Sequence, residues 1–212
     1  MFVNKLAHMT SIDGPIKFRA AVPIDSRANH ELHRALDCIL RHYNHAGFII
    51  KEIHADSEFD PMKEELMDKM DIDFVRYAQG EHVKRAERNN QTIAGNIRAI
   101  FHSLPYKAYP RTMTKYATMV AAANFNHFPA KGGVSSYYSP HVIMGKKPLN
   151  YKKHCLYNFG DYVEGFHENY PTNTQKQRAV SGIYLRPLPN GLNSHEIINL
   201  EWRLGWSTKW SR

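Results

Sequence analysis

Phe48-Ile49-Ile50-Lys51-Glu52-Ile53-His54-Ala55-Asp56-Ser57-Glu58-Phe59 is an apolar run that closes on an acid, Asp56. Its Ile-rich first half predicts a short strand over Phe48 to Ile53, buried on at least one face, with Asp56 just past its end. Further along, Glu87-Arg88-Asn89-Asn90-Gln91-Thr92-Ile93 opens a helical pattern. Ala86, Ile93, Ile97, Ile100 and Leu104 fall on one stripe of that helix, and Lys84, Glu87, Arg88, Gln91 and Arg98 fall on the other side. The pattern predicts a helix from about His82 to Leu104. A carboxylate at a strand end and another on a facing helix are able to share a divalent metal, because hard cations take carboxylate oxygens. Taken singly, each acid has a plainer use. Asp56 would cap the turn that follows it, and Glu87 would be a solvated acid beside Lys84 or Gln91.

The flanks build a fold around this pair. Met1 to Asn4 reads as strand, continued by Leu6 to Met9, and Ile12-Asp13-Gly14-Pro15 is a turn signal. Ile16, Phe18, Ala20 and Val22 alternate as the hairpin partner of that strand. Ser26 is placed to cap a helix carrying Leu32, Leu36, Ile39, Leu40 and Tyr43 inward, which Gly47 stops. Glu64 to Met70 predicts a short helix with Leu66, Met67 and Met70 inward, Ile72 to Tyr77 a strand, and Ala78-Gln79-Gly80 a loop. Strand, strand, helix, strand, helix, strand, helix is an α/β order that implies a mixed sheet flanked by helices.

Past Tyr106, Arg111 to Phe128 predicts another helix, with Met113, Tyr116, Ala117, Val120 and Ala121 inward. Pro129 to Asn158 is rich in Gly, Pro, Lys and Tyr and reads as a connector. Its cations Lys146, Lys147, Lys152 and Lys153 would suit a polyanionic partner. Asp161 to Phe166, Val180 to Leu185 and His195 to Leu200 predict short strands, and Tyr170 to Arg178 a polar loop. The expected division is 1–128 for the α/β core, 129–158 for the basic connector, 159–200 for a small β module and 201–212 for a divergent tail.

The chain has 212 residues, 42% hydrophobic and 23% charged, values that support a packed core without staples. Its formal net charge of +8 favours a polyanionic partner, nucleic acid first and a membrane surface second. Cys38 and Cys155 are the only cysteines, so a disulfide framework is not expected. No apolar stretch is long enough to span a bilayer, and no signal-peptide pattern opens the chain. The 13 histidines do not read as a zinc site, because His30 with His33, or His42 with His45, lack further close ligands. Met62, Met67 and Met70 read as core filler.

The ordered words of this chain resemble the integrase core of a copia-type LTR retrotransposon, one of the RNase H-like polynucleotidyl transferases. Asp56-Ser57-Glu58-Phe59 is similar to a shortened Asp-Asn-Gly-x-Glu-Phe motif, and Glu87-Arg88-Asn89-Asn90-Gln91-Thr92 to Glu-Arg-x-Asn-Arg-Thr. Ser103-Leu104-Pro105-Tyr106 matches a Ser-Leu-Pro-Tyr that ends the family's basic-apolar helix. Ser139-Pro140, Gly145 and Pro148 match its Ser-Pro…Gly-x-x-Pro word, and Phe159-Gly160 its Phe-Gly. The matches run in the family's order from the first residues to about Leu200.

The resemblance implies an RNase H-like core, a helical and extended connector, and a small C-terminal β-barrel-like module. It implies DNA 3′-end joining into target DNA on Mg²⁺ (or Mn²⁺) held by three carboxylates. Asp56 and Glu87 take the second and third places, as catalytic and metal-binding residues. The first Asp would fall just upstream of Phe2-Val3-Asn4, so the resemblance implies an N-terminally truncated chain with impaired catalysis. Any zinc-binding N-terminal module of the family would likewise precede it. Lys84, Arg88, Arg98, Lys146 and Lys147 are the expected nucleic-acid-binding residues, DNA the partner, and a homo-oligomer the implied assembly, with no membrane. The location implied is the nucleus or a cytoplasmic particle of a eukaryotic host. Where the family commonly has Pro-Glu ahead of its acid, this chain has Lys84-Arg85, and Ala94-Gly95-Asn96 interrupts the charged stretch that follows. Two alternatives stay open: a non-catalytic nucleic-acid-binding remnant of a mobile element, and an RNase H-like nuclease. The downstream words argue against the nuclease.

Overall fold

The computed structural model describes residues 1–77, 84–166, 179–188, 194–200 and 207–210. The predicted loops Ala78-Gln79-Gly80 and Tyr170 to Arg178, the helix start at His82, and most of 201–212 lie outside them.

The chain starts with a tight hairpin. β1 (Phe2–Val3) runs antiparallel to β2 (Leu6–Ile12), with Val3 opposite Leu6. Asn4 and Lys5 turn the chain at φ 48° and 64°, the left-handed pair that a two-residue hairpin demands. Leu6 to Met9 therefore does not continue the first strand; it folds back along it. β3 (Arg19–Ile24) pairs with β2 from the other side, Met9 opposite Val22. The connection is held by Asp13, whose Oδ1 accepts from the backbone N–H of Ile16 and of Lys17, a local side-chain clasp on the turn. Ile16, Phe18, Ala20 and Val22 are all buried, as their alternation predicts, although the ladder itself begins only at Arg19.

α1 (Asn29–His45) buries Leu32, Ile39, Leu40 and Tyr43 and half-buries Leu36. Its N-cap is Ala28 rather than Ser26. The Ser26 hydroxyl accepts from the Ala28 N–H at 3.3 Å, which shapes the approach without capping the helix. Gly47, at φ 78°, ends it, and the N–H of Phe48 returns to the Tyr43 carbonyl. β4 (Glu52–Ala55) pairs in parallel with β5 (Asp73–Arg76), Ile53 opposite Phe74. Between them a 3-10 turn, Ser57–Met62, leads into α2 (Lys63–Met70). Met62 and Leu66 are buried, but Met67 and Met70 are each 44% exposed, so they are not core residues.

α3 (Lys84–Ser103) and α4 (Arg111–Asn124) lie on the opposite side of the β2–β3 hairpin from α1. Strand β3 divides its side chains accordingly. Ala20, Val22 and Ile24 join Met9, Phe18, Leu32, Ile39, Tyr43 and Phe74 in one core, and Ala21 joins Ile93, Ile97, Ala121 and Ala122 in a second. The result is a helix–sheet–helix layering around β1–β3. Among the described residues the expected single mixed sheet is split into the antiparallel order β1-β2-β3 and the parallel pair β4-β5. The two-residue β1 offers too short an edge to carry a further ladder.

The stretch after α4 is more structured than a plain connector. A 3-10 turn, Phe125–His127, is followed by two single-turn helices, α5 (Pro140–Ile143) and α6 (Tyr151–His154). Met144 is buried in the first core. The terminal strands β6 (Tyr162–Phe166), β7 (Ala179–Pro187), β8 (His195–Asn199) and β9 (Ser207–Trp210) form one antiparallel sheet in that order. β6 and β9 are its edges, so no barrel is closed among the described residues. Four short strands supply too little stagger to wrap a sheet onto itself. β9 lies in the tail to which the sequence assigned nothing. The architecture is mixed α/β, with helices and several sheets.

Candidate functional site

Asp56 sits immediately after β4 and caps the 3-10 turn: its Oδ1 accepts from the Glu58 N–H at 3.1 Å. The side chain is exposed. Its surroundings are charged. Glu58 pairs with Arg27 at 3.2 Å, and the Arg27 guanidinium lies 4.6 Å from the centre of the Phe2 ring. Partial burial holds the Met1 amino group below the usual amine value, with Glu58 and Asp56 opposing that shift and Arg27 adding to it. The start of β1, the approach to α1 and the end of β4 therefore meet around Asp56. The sequence offered no sign of Arg27 in this group.

Glu87 lies in the first turn of α3 and is exposed. An acid there complements the helix dipole. What fixes this end of α3 is a polar seam beside it. Asn89, buried, takes a hydrogen bond from Arg19 Nε at 2.9 Å and donates to the Ser11 carbonyl at 3.4 Å. Asn90 Oδ1 accepts from the Thr10 hydroxyl at 2.6 Å. Asn126 holds the backbone of Arg19 twice, accepting from its N–H at 2.8 Å and donating to its carbonyl at 2.7 Å. The Arg19 guanidinium lies over the Phe125 ring at 4.8 Å, and burial lowers its pKa. A half-buried cation costs stability unless it is partnered; here Asn89 accepts from Nε and the Phe125 ring lies against the guanidinium face. Asn89 and Asn90 stand inside the word that carries Glu87, three and four residues after Ala86; that spacing on the apolar stripe is the one sequence signal of a buried polar seam, and the division into apolar stripe and solvent side passes over it.

The two acids thus occupy different layers, one at the end of β4 and one on α3. Among the described residues no three His, Cys, Asp or Glu side chains come together as a group able to hold a metal ion. The donors suit Mg²⁺ or Mn²⁺ in kind, being exposed carboxylates. They fall short in number.

The expected cations divide. Lys84, Arg88 and Arg98 are all exposed along the solvent side of α3. Their neighbour Arg85 folds over the turn before β3, where a Cβ built on Gly14 would lie 2.7 Å from its Nη1. Lys147 is exposed after α5. Lys146 stands close to His42 of α1, and partial burial holds its ammonium below the ordinary lysine value. It lies apart from the α3 face.

Several of the quoted words prove to be fasteners. Tyr106 donates to the Gly160 carbonyl at 3.2 Å, and Gly160, at φ 92°, leaves no room for a Cβ beneath Leu104. Ser-Leu-Pro-Tyr and Phe-Gly are therefore one contact. Ser139 caps α5, accepting from the Val142 N–H at 3.4 Å, and Gly145, at φ 72°, follows its end.

No protein-family model matches the chain, and no curated protein matches it. Among solved structures, a chain of the cryo-EM structure of the simian T-cell lymphotropic virus intasome in complex with PP2A regulatory subunit B56 gamma is similar at 14% identity and a TM-score of 0.47, over 97% of this chain and 76% of that one. No helix among the described residues is long and apolar enough to cross a membrane.

Proposed function

We propose that this chain is an integrase-type polynucleotidyl transferase core of a copia-type retrotransposon that binds DNA and joins 3′ ends poorly. The observation that carries the reading is the order of its words: Asp56-Ser57-Glu58-Phe59, Glu87-Arg88 with its Asn-Asn, Ser103-Leu104-Pro105-Tyr106, Ser139-Pro140 and Phe159-Gly160. The mixed α/β layering is compatible with it. Asp56 and Glu87 are its metal ligands, and Mg²⁺ or Mn²⁺ bound there would supply the Lewis acidity that phosphodiester exchange needs. Two carboxylates bind such a cation weakly. The residues' own work is to hold the polymer: Lys84, Arg88 and Arg98 contact the phosphate backbone, with Lys146 and Lys147 as further cations, giving affinity that depends on salt and not on sequence. In this reading residues 1–128 are the core, 129–158 the basic connector and 159–200 the β module, whose sheet β9 of the tail extends. The partner is DNA, in a homo-oligomer, in the nucleus or a cytoplasmic particle of a eukaryotic host.

A second reading has its own support. The lack of a three-carboxylate group among the described residues favours a protein that binds nucleic acid without turnover. A strand-transfer assay in Mn²⁺ separates the two. The chain is expected to give weak product that Asp56→Asn or Glu87→Gln abolishes. Product that survives both substitutions contradicts the site, and none from the wild type favours the non-catalytic protein.

A further inference from the structure

The loop after α4 presents aromatic surface without an assigned use. Tyr137 is 80% exposed and Tyr138 54% exposed, with Val134 and Phe128 also in solvent. Exposed tyrosines in tandem are costly surface unless something covers them. Their backbones share a local hydrogen-bonded turn. The Ser135 hydroxyl accepts from the N–H of Tyr137 at 3.1 Å and of Tyr138 at 2.8 Å, so one serine sets both backbones. Their rings stand edge to face, 4.9 Å apart at 87°, and form an open corner. The loop is tied to the core: Val134 N–H donates to the Pro15 carbonyl at 2.9 Å, and Gly133 packs against the stem of Lys17. The adjoining Gly14 lies under the Arg85 guanidinium of α3. Lys17 and Arg85 therefore reach the foot of the loop that carries the aromatic corner, and Lys131 lies on the same loop, on a chain of net charge +8.

Flat rings held open beside cations are the elements of a platform for unpaired nucleobases: the rings stack on bases and the cations take the phosphates. We infer that Tyr137 and Tyr138 form a stacking platform for a single-stranded stretch of nucleic acid, continuous through Arg85 with the basic side of α3. The inference rests on the nucleic-acid-binding reading and adds the class of ligand at this face. Duplex DNA keeps its bases stacked on one another, so the platform discriminates in favour of frayed or single-stranded ends. A second copy of this chain is the competing occupant, but a net charge of +8 repels its own copies and attracts a polyanion.

The test compares a labelled oligothymidylate with a labelled duplex by fluorescence anisotropy across a salt series. Replacing both residues, Tyr137→Ala with Tyr138→Ala, is expected to weaken oligothymidylate binding by about tenfold or more. Duplex binding and its salt slope stay unchanged, and Tyr137→Phe with Tyr138→Phe restores the wild-type affinity. Both residues are in solvent, and an unchanged circular-dichroism spectrum confirms that the alanine variant folds. If the alanine variant binds oligothymidylate as tightly as the wild type, or loses duplex binding equally, the platform is wrong while the DNA-binding reading stands. If the wild type binds neither oligonucleotide, both fall. If sedimentation shows that the alanine pair abolishes self-association while oligothymidylate binding persists, the surface is a protein interface.

Discussion

His8 is the residue with the clearest consequence. It is 1% exposed on β2, and neither ring nitrogen has a hydrogen-bond partner. Burial pushes its pKa from the ordinary value down to about 4. The native state thus holds a neutral imidazole while the unfolded chain takes up a proton near pH 6.5. Between those values the unfolded state binds more protons, so stability rises with pH and is lost as pH falls from about 6.5 to about 4. Thermal or urea unfolding across that window is expected to show a loss of up to roughly 3 kcal/mol. His8→Met should flatten this part of the profile, and an unchanged slope would remove His8 as its cause. Asp56 teaches the opposite lesson about single residues. Its cap on Glu58 is the plain use that a strand-end acid suggests, and that use leaves its other oxygen available. The capping role was legible in the sequence because it needs only local spacing. His8 was not legible, since nothing in a strand reading distinguishes a buried imidazole from an exposed one.

Element boundaries follow from periodicity where the pattern is long. α3 buries Ile93 and Ile97 and exposes Lys84, Glu87, Arg88, Gln91 and Arg98, as its stripe predicts. Short elements read less well. Asn4-Lys5 turns the chain without glycine, so the first strand looked continuous; α2 has eight residues and only Leu66 of its apolar side reaches the core. Gly95 is a helix-interior glycine with open space where a Cβ would go. Gly95→Ala is expected to stabilise the protein by about 0.5–1 kcal/mol, readable as a raised urea midpoint. A lowered midpoint would mean that the site is occupied by something a methyl displaces. The basic side of α3 makes a separate prediction. Replacing Lys84, Arg88 and Arg98 together with Ala should weaken duplex DNA binding. The slope of log affinity against log salt should fall by about 1 for each phosphate that is no longer neutralised. An unchanged slope would make them a solvated face. The Asn89–Arg19–Asn126 seam that seats this end of α3 escaped the sequence for a physical reason. Polar residues separated along the chain reveal a shared burial only once the fold joins them.

The whole molecule combines a helix–sheet–helix core with an open four-stranded sheet, fastened where Tyr106 meets Gly160 and where Arg186 pairs with buried Glu196 at 2.5 Å and lies over Tyr116 at 5.3 Å. The α/β order was legible because strands and helices alternate with different periods. Among the described residues, the division of the strands into three sheets, and the failure of the last four to close, depend on pairing between distant segments, which no local pattern records. The same limit applies to function. The words that carry the integrase resemblance include fasteners as well as candidate ligands, so their order speaks for a fold more directly than for turnover. The proposed function has Asp56 and Glu87 act together on one divalent cation. Calorimetric titration of Mg²⁺ and Mn²⁺ into the wild type, Asp56→Asn and Glu87→Gln tests it most directly. The account predicts weak binding to the wild type that either substitution abolishes, with duplex DNA affinity in metal-free buffer intact in all three. Binding that survives both substitutions, or no binding to the wild type at any concentration, would contradict it.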